Sequence, residues 1–150
     1  MKRCLVLIGL AWGALAAQAQ TVPAVTGVMA LPLDKSYAEL SVAEKAQARS
    51  DYVSMPERDE PPFPVAGMGA LLRPIADAVG AMRVRGDLTL FVTISSTGKP
   101  LSVAVVKSPD EKLAHYAASV LMKAQYKPAV CAGKPCTMQL PLRMALDFEG

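Results

Sequence analysis

The stretch KPAVCAGKPC, at positions 127–136, sets Cys131 and Cys136 on either side of Ala-Gly-Lys-Pro, four residues that favour turns. Two thiols so placed can form a disulfide, half a metal site or a redox pair. A structural zinc site takes four Cys or His ligands. His115 is the sole histidine, and the third cysteine, Cys4, lies far away near the N-terminus. A redox pair normally has the spacing Cys-x-x-Cys, and this one is longer. A structural disulfide is the best reading wherever the compartment is oxidising.

No other group of residues has catalytic spacing. Ser95 and Ser96 lie in a turn with no base nearby in sequence. His115 sits beside Lys112 and Ser119 on the polar side of a helical pattern, and a general base needs a positioned partner. Asp110 and Glu111 suit the positive start of a helix better than paired acid–base work. Met68, Met82, Met138 and Met144 fall on apolar faces, where core packing explains them better than copper ligation. Lys123 and Lys127 read as a solvated helix end, and Glu57-Arg58-Asp59-Glu60 as a soluble linker. No catalytic residue, no metal and no cofactor is expected, and an enzyme is the least favoured class.

The elements that would carry these residues follow from periodicity. Residues 21–34 read as an extended, poorly ordered stretch. Ser41 precedes Glu44 by three, a capping box that predicts a short helix over residues 42–52. Pro56, Pro61, Pro62 and Pro64 then favour extended polyproline geometry. Met68, Leu71, Leu72, Ile75, Val79 and Met82 recur at helical spacing. Pro74 either opens that helix or kinks it, and Gly80 or Gly86 ends it.

DLTLFVTIS alternates, with Leu88, Leu90, Val92 and Ile94 on one face. STGK makes a turn with Gly98 where positive φ is cheap. LSVAVVK forms the second strand of a hairpin, with Leu101, Val103 and Val105 inward. A helix capped by Ser108 or Asp110 buries Leu113, Ala117, Val120, Leu121 and Ala124, and ends before Pro128. TMQLPLRMALDF alternates throughout, with Met138, Leu140, Leu142, Met144, Leu146 and Phe148 on one face, and Pro141 marks a sheet edge. The predicted fold is α+β, in the order α-β-β-α-β: a three-stranded antiparallel sheet packed against two helices.

The first 19 residues begin with Lys2 and Arg3, run apolar to Ala17 and end Ala17-Gln18-Ala19. That is the build of a cleavable signal peptide. The run falls short of the roughly 20 apolar residues of a membrane span, although an uncleaved inner-membrane anchor is the alternative. The expected division is a signal peptide at 1–19, an extension with a short helix and proline-rich linker at 20–65, and a domain at 66–150. Cys4 would leave with the signal. Without Lys2 and Arg3 the balance is 14 basic against 13 acidic residues, a net charge of +1. So slight a charge, with few aromatics, argues against nucleic-acid binding.

This arrangement resembles the C-terminal domain of the TonB family of periplasmic energy transducers. The resemblance rests on Gly86 before the first strand, Gly98 in the hairpin turn and Ser108 opening the helix. Tyr126-x-Pro128-Ala129, Gly133-x-Pro135 and a last strand LPLRMALDF with Pro141 complete it, over about residues 65–149. Members of that family keep an uncleaved N-terminal helix and a long proline-rich spacer. Here the apolar run looks cleavable and the spacer is short, so a free periplasmic domain is expected in place of an energy transducer.

The resemblance implies a periplasmic or outer-membrane protein as partner, its extended peptide added to the edge strand at Gln139, Pro141, Arg143 and Ala145 in TonB-linked transport. The alternative is a structural envelope protein that contacts peptidoglycan or another secreted factor. No small-molecule cofactor is implied, and homodimerisation by edge pairing stays open. The exported chain is expected to begin at Gln20, which intact mass of the periplasmic fraction checks; full-length chain in the inner membrane would favour the anchor.

Overall fold

A computed structural model describes residues 31–147. The expected signal peptide, Cys4 and Phe148 lie outside the described residues. Helix α1 spans Val42–Arg49, strand β1 Phe63–Pro64, helix α2 Gly69–Met82, strand β2 Gly86–Ile94 and strand β3 Pro100–Lys107. Helix α3 spans Glu111–Lys123, and strands β4 Tyr126–Lys127, β5 Ala129–Cys131, β6 Lys134–Cys136 and β7 Met138–Leu146 follow. The main sheet is antiparallel in the order β3-β2-β7. The α+β architecture is as the sequence predicts, with two short ribbons added, β1–β4 and β5–β6.

The core grows from the alternation of β2. Leu88, Leu90, Val92 and Ile94 are all fully buried. Leu140, Leu142, Met144 and Leu146 of β7 face the same core. Leu71, Ile75 and Val79 of α2 and Leu113, Ala117 and Leu121 of α3 close over them. Each such side chain removed from water is worth about 1.5–3 kcal/mol. Asp110 caps α3, its carboxylate accepting from the Leu113 N–H at 2.8 Å. Ser108 supports the cap by donating to the Asp110 carbonyl at 2.7 Å. The capping box at Ser41 and Glu44 opens α1, which ends at Arg49, three residues short of the expected end.

Several expectations need correcting. In β3, Val103 packs on the core, but Leu101 and Val105 are 57% and 47% exposed. Irregular pairing with β2 at both ends of this edge strand throws out Leu101 and Val106 as extra residues, while Val105 keeps its place opposite Leu90 and is half covered. In α2, Pro74 lies inside the helix, and Met82 is exposed. Neither glycine ends α2. The stop is Arg83, left-handed at φ 54°, with the Val84 N–H reaching back to the Val79 carbonyl as in a Schellman turn.

The proline-rich stretch is no free linker. Phe63 and Pro64 pair with Lys127 and Tyr126, and Phe63 is fully buried. Leu31, Tyr37, Leu40 and Ala48 join the same core, so within the described part of residues 21–34 Leu31 is packed, while Leu33 and Asp34 are exposed.

Gly98 turns the β2–β3 hairpin at φ 82°. A β-carbon there would collide with the carbonyl oxygen of Tyr126. Gly80, within α2, has open space where its β-carbon would go. Gly98→Ala is expected to lower stability by roughly 2 kcal/mol or more, and Gly80→Ala to raise it by about 0.5–1 kcal/mol. Urea denaturation of the two variants checks both signs.

Cys131 and Cys136 are joined by a disulfide, with Cα atoms 5.8 Å apart. They lie diagonally on one face of the β5–β6 ribbon, Cys131 opposite Lys134 and Cys136 opposite Ala129. Ala132 at φ 49° and Gly133 at φ 80° make the two-residue turn. Replacing both cysteines by serine should cost about 2 kcal/mol by chain entropy. Urea midpoints of oxidised wild type and the double variant measure it.

Candidate docking edge

Strand β7 ends the main sheet, paired with β2 along Gly86↔Leu146 to Ile94↔Met138. Antiparallel neighbours alternate between pairs that exchange hydrogen bonds and pairs that do not. Pro141 stands opposite Phe91 and has no N–H, so that pair is of the second kind. Parity then sets the rest. Leu140 and Leu142 bond Val92 and Leu90, while Gln139, Arg143 and Ala145 turn their backbone groups away from β2. The Ser95 N–H, bonded to the Lys99 carbonyl at 2.9 Å, shows odd-numbered residues of β2 facing β3, as this parity requires.

The side chains at this edge differ in exposure. Gln139, Arg143 and Ala145 are exposed, and Pro141 is buried. The Arg143 guanidinium lies over the Phe91 ring, 5.5 Å from its centre. Asp51 and Tyr52, in the turn after α1, are within electrostatic reach of Arg143. Burial pushes the Asp51 carboxyl above its ordinary range, and the arginine's charge opposes that rise. Burial likewise raises the Tyr52 phenol, with the Asp51 charge adding to the effect. The Tyr52 hydroxyl is buried and finds no hydrogen-bond partner among the described residues.

A second cluster fixes the N-terminal segment against the domain. Lys127, expected as a solvated helix end, is largely withdrawn from solvent. Its ammonium pairs with Glu60 at 2.8 Å, donates to the Pro128 carbonyl at 3.0 Å and lies 4.6 Å from the centre of the Tyr37 ring. Tyr37 in turn packs on Phe63, ring centres 5.7 Å apart. Glu60 and Val130 exchange both backbone hydrogen bonds, at 3.0 and 2.9 Å. The Asp59 carboxylate accepts from the Ala132 N–H at 2.9 Å, at the tip of the disulfide ribbon. Asp59 and Glu60 therefore hold that ribbon, while Glu57 and Arg58 stay exposed as a soluble linker would. The one hint of it in the sequence is Phe63, an aromatic set among prolines.

The remaining candidates stay apart. His115 is exposed, and its nearest carboxylate is Glu111, one helical turn away at 3.7 Å. Ser95 holds its own turn, its hydroxyl oxygen accepting from the N–H groups of Thr97 and Lys99. Met68 and Met144 are buried in the core. Among the described residues no group of three or more His, Cys, Asp or Glu could hold a metal ion. No helix among them is long and apolar enough to cross a membrane.

No curated protein matches the chain. Residues 77–146, from the middle of α2 to the end of β7, match the model of the Gram-negative bacterial TonB protein C-terminal. With that match lying over the helix–hairpin–helix–strand order just described, the chain carries a TonB C-terminal-like domain.

Proposed function

We propose that β7 docks an extended segment of an outer-membrane or periplasmic protein by strand addition, in TonB-linked transport. The observation that carries this reading is the position of β7 at the end of the sheet, with Gln139, Arg143 and Ala145 directing unpaired backbone groups outward. TonB C-terminal domains are periplasmic protein-interaction modules that meet outer-membrane proteins, which supports a protein partner. A strand added here forms bonds on either side of Pro141 and misses one at Pro141 itself. That gap limits indiscriminate pairing and favours a partner whose own sequence tolerates it. Exposed Arg143, held over Phe91, would meet an acidic or polar side chain of the incoming strand.

The test uses two prolines and a photocrosslinker. Arg143→Pro removes an outward N–H and is expected to leave the fold intact while abolishing docking. Leu142→Pro breaks the β2–β7 ladder and should cost about 3 kcal/mol or more. A photoreactive residue at Gln139 or Ala145 should crosslink an outer-membrane or periplasmic protein in intact cells, and one at Lys112 should not. Equal crosslinking from all three positions, or undiminished capture by Arg143→Pro, would place the docking surface elsewhere.

A further inference from the structure

The disulfide ribbon is a small unit slung between two fixed points. Ala129, at its start, is fully buried. Met138, which follows Thr137, is already paired with Ile94. Between them Ala132, Gly133, Lys134 and Pro135 are exposed, and Cys131 and Cys136 are half-buried, so a small thiol reaches both sulfurs. A two-stranded ribbon this short is marginal in water by itself. The Cys131–Cys136 bond therefore holds the ribbon shut.

The ribbon in turn holds the chain before α2. Pro135 stands opposite Val130 and has no N–H, so Val130 turns both of its backbone groups outward. Glu60 takes them, at 3.0 and 2.9 Å. The Asp59 carboxylate takes the Ala132 N–H at 2.9 Å. These three bonds need the ribbon closed. The next attachment, Phe63 and Pro64 on β4, does not. Lys134 lies directly across from Cys131, and residues so paired share a face of the ribbon.

We propose that Cys131–Cys136 is a site of thiol–disulfide exchange with a dithiol reductant, and that its reduction releases residues 59 and 60 from the domain. The pair lacks the spacing of an oxidoreductase centre and acts as the substrate of the exchange. A thiolate of the reductant attacks Sγ of Cys136 and forms a mixed disulfide. The Cys131–Cys136 S–S bond breaks, and its electron pair leaves on Sγ of Cys131, where the Lys134 ammonium across the ribbon favours the negative charge. The second thiol of the reductant then attacks its own sulfur in the mixed disulfide and frees Cys136. Two electrons and two protons pass to the pair, and the dithiol becomes a disulfide. Without the bond the stretch from Val130 to Thr137 opens between its fixed ends, as a local unit, while the sheet stays folded. The oxidised chain thus holds its N-terminal extension at two places in succession, β5 and β4, and the reduced chain holds it at β4.

The test uses the full chain, exported and purified in oxidised form, with dithiothreitol as the dithiol. Both cysteines should become alkylatable by iodoacetamide in native buffer before the Leu90 and Val92 amides exchange with deuterium. Reduction should speed exchange at the Glu60, Val130 and Ala132 amides at least about tenfold more than at Leu90 and Val92, which report the whole sheet. Lys134→Gln should slow the reduction about threefold, the worth of one exposed charge contact, and Lys134→Arg should restore it. A pair that stays unreactive until Leu90 and Val92 exchange overturns the exchange site. An equal speed-up at all five amides, or none at Glu60, Val130 and Ala132, overturns the release. Equal reduction rates for wild type, Lys134→Gln and Lys134→Arg overturn the choice of Cys131 as the leaving sulfur.

Discussion

Pro141 has no N–H to donate, and that absence settles the direction of the backbone groups across the three-stranded sheet. Because Phe91 cannot bond Pro141, it must bond β3. Because Phe91 bonds β3, Leu90 and Val92 must bond β7. The side chains follow the same alternation: Leu88, Leu90, Val92 and Ile94 enter the core, and Phe91 lies on the far side beneath Arg143. A slip of one residue between β7 and β2 would leave a β2 carbonyl facing Pro141 without a donor and would set the apolar face of one strand beside the polar face of the other. The register is thus held by the core and by a missing proton together.

The second organising contact is the ammonium of Lys127. A cation withdrawn from water needs both charge and hydrogen-bond partners, and Glu60, the Pro128 carbonyl and the Tyr37 ring supply them. Glu60 and Tyr37 come from the segment before α2, so the need draws that segment onto the domain. Arg73 repeats the theme at the surface, with a two-pronged pair to Asp34 at 2.7 Å that holds the Asp34 carboxyl below its ordinary range. As both groups are exposed, this pair fixes position more than it adds stability.

Much of this was legible because it is local or periodic. The alternation of β2, the helical stripe of α2, the Ser41 box and the Gly98 turn each depend on residues close in sequence. What escaped was decided at a distance. LSVAVVK alternates as β2 does, yet Val103 packs on the core while Val105 stays half bare, and two irregularities throw Leu101 and Val106 out of the alternation. Lys127 reads as a helix-end lysine until Glu60, more than sixty residues earlier, is brought beside it. Pro61, Pro62 and Pro64 read as spacer, and nothing in their own chemistry announces that the sheet side of Tyr126 is waiting for Phe63 and Pro64. Arg83, and neither nearby glycine, takes the left-handed stop of α2, and nothing in the local sequence marks it out.

The ladder between β7 and β2 also has a mechanical meaning. Its nine residue pairs run side by side along the full length of both strands. Tension applied along β7, as by a strand docked on its outer side and pulled lengthwise, loads all of these hydrogen bonds in shear, so that they must yield together. The ribbon β5–β6 is different: a pull that separates its two strands from the open end would part them pair by pair, but the disulfide between Cys131 and Cys136 stops that peeling before the turn. The domain is consequently stiff along the direction of its outer edge and clamped at the point where that edge begins.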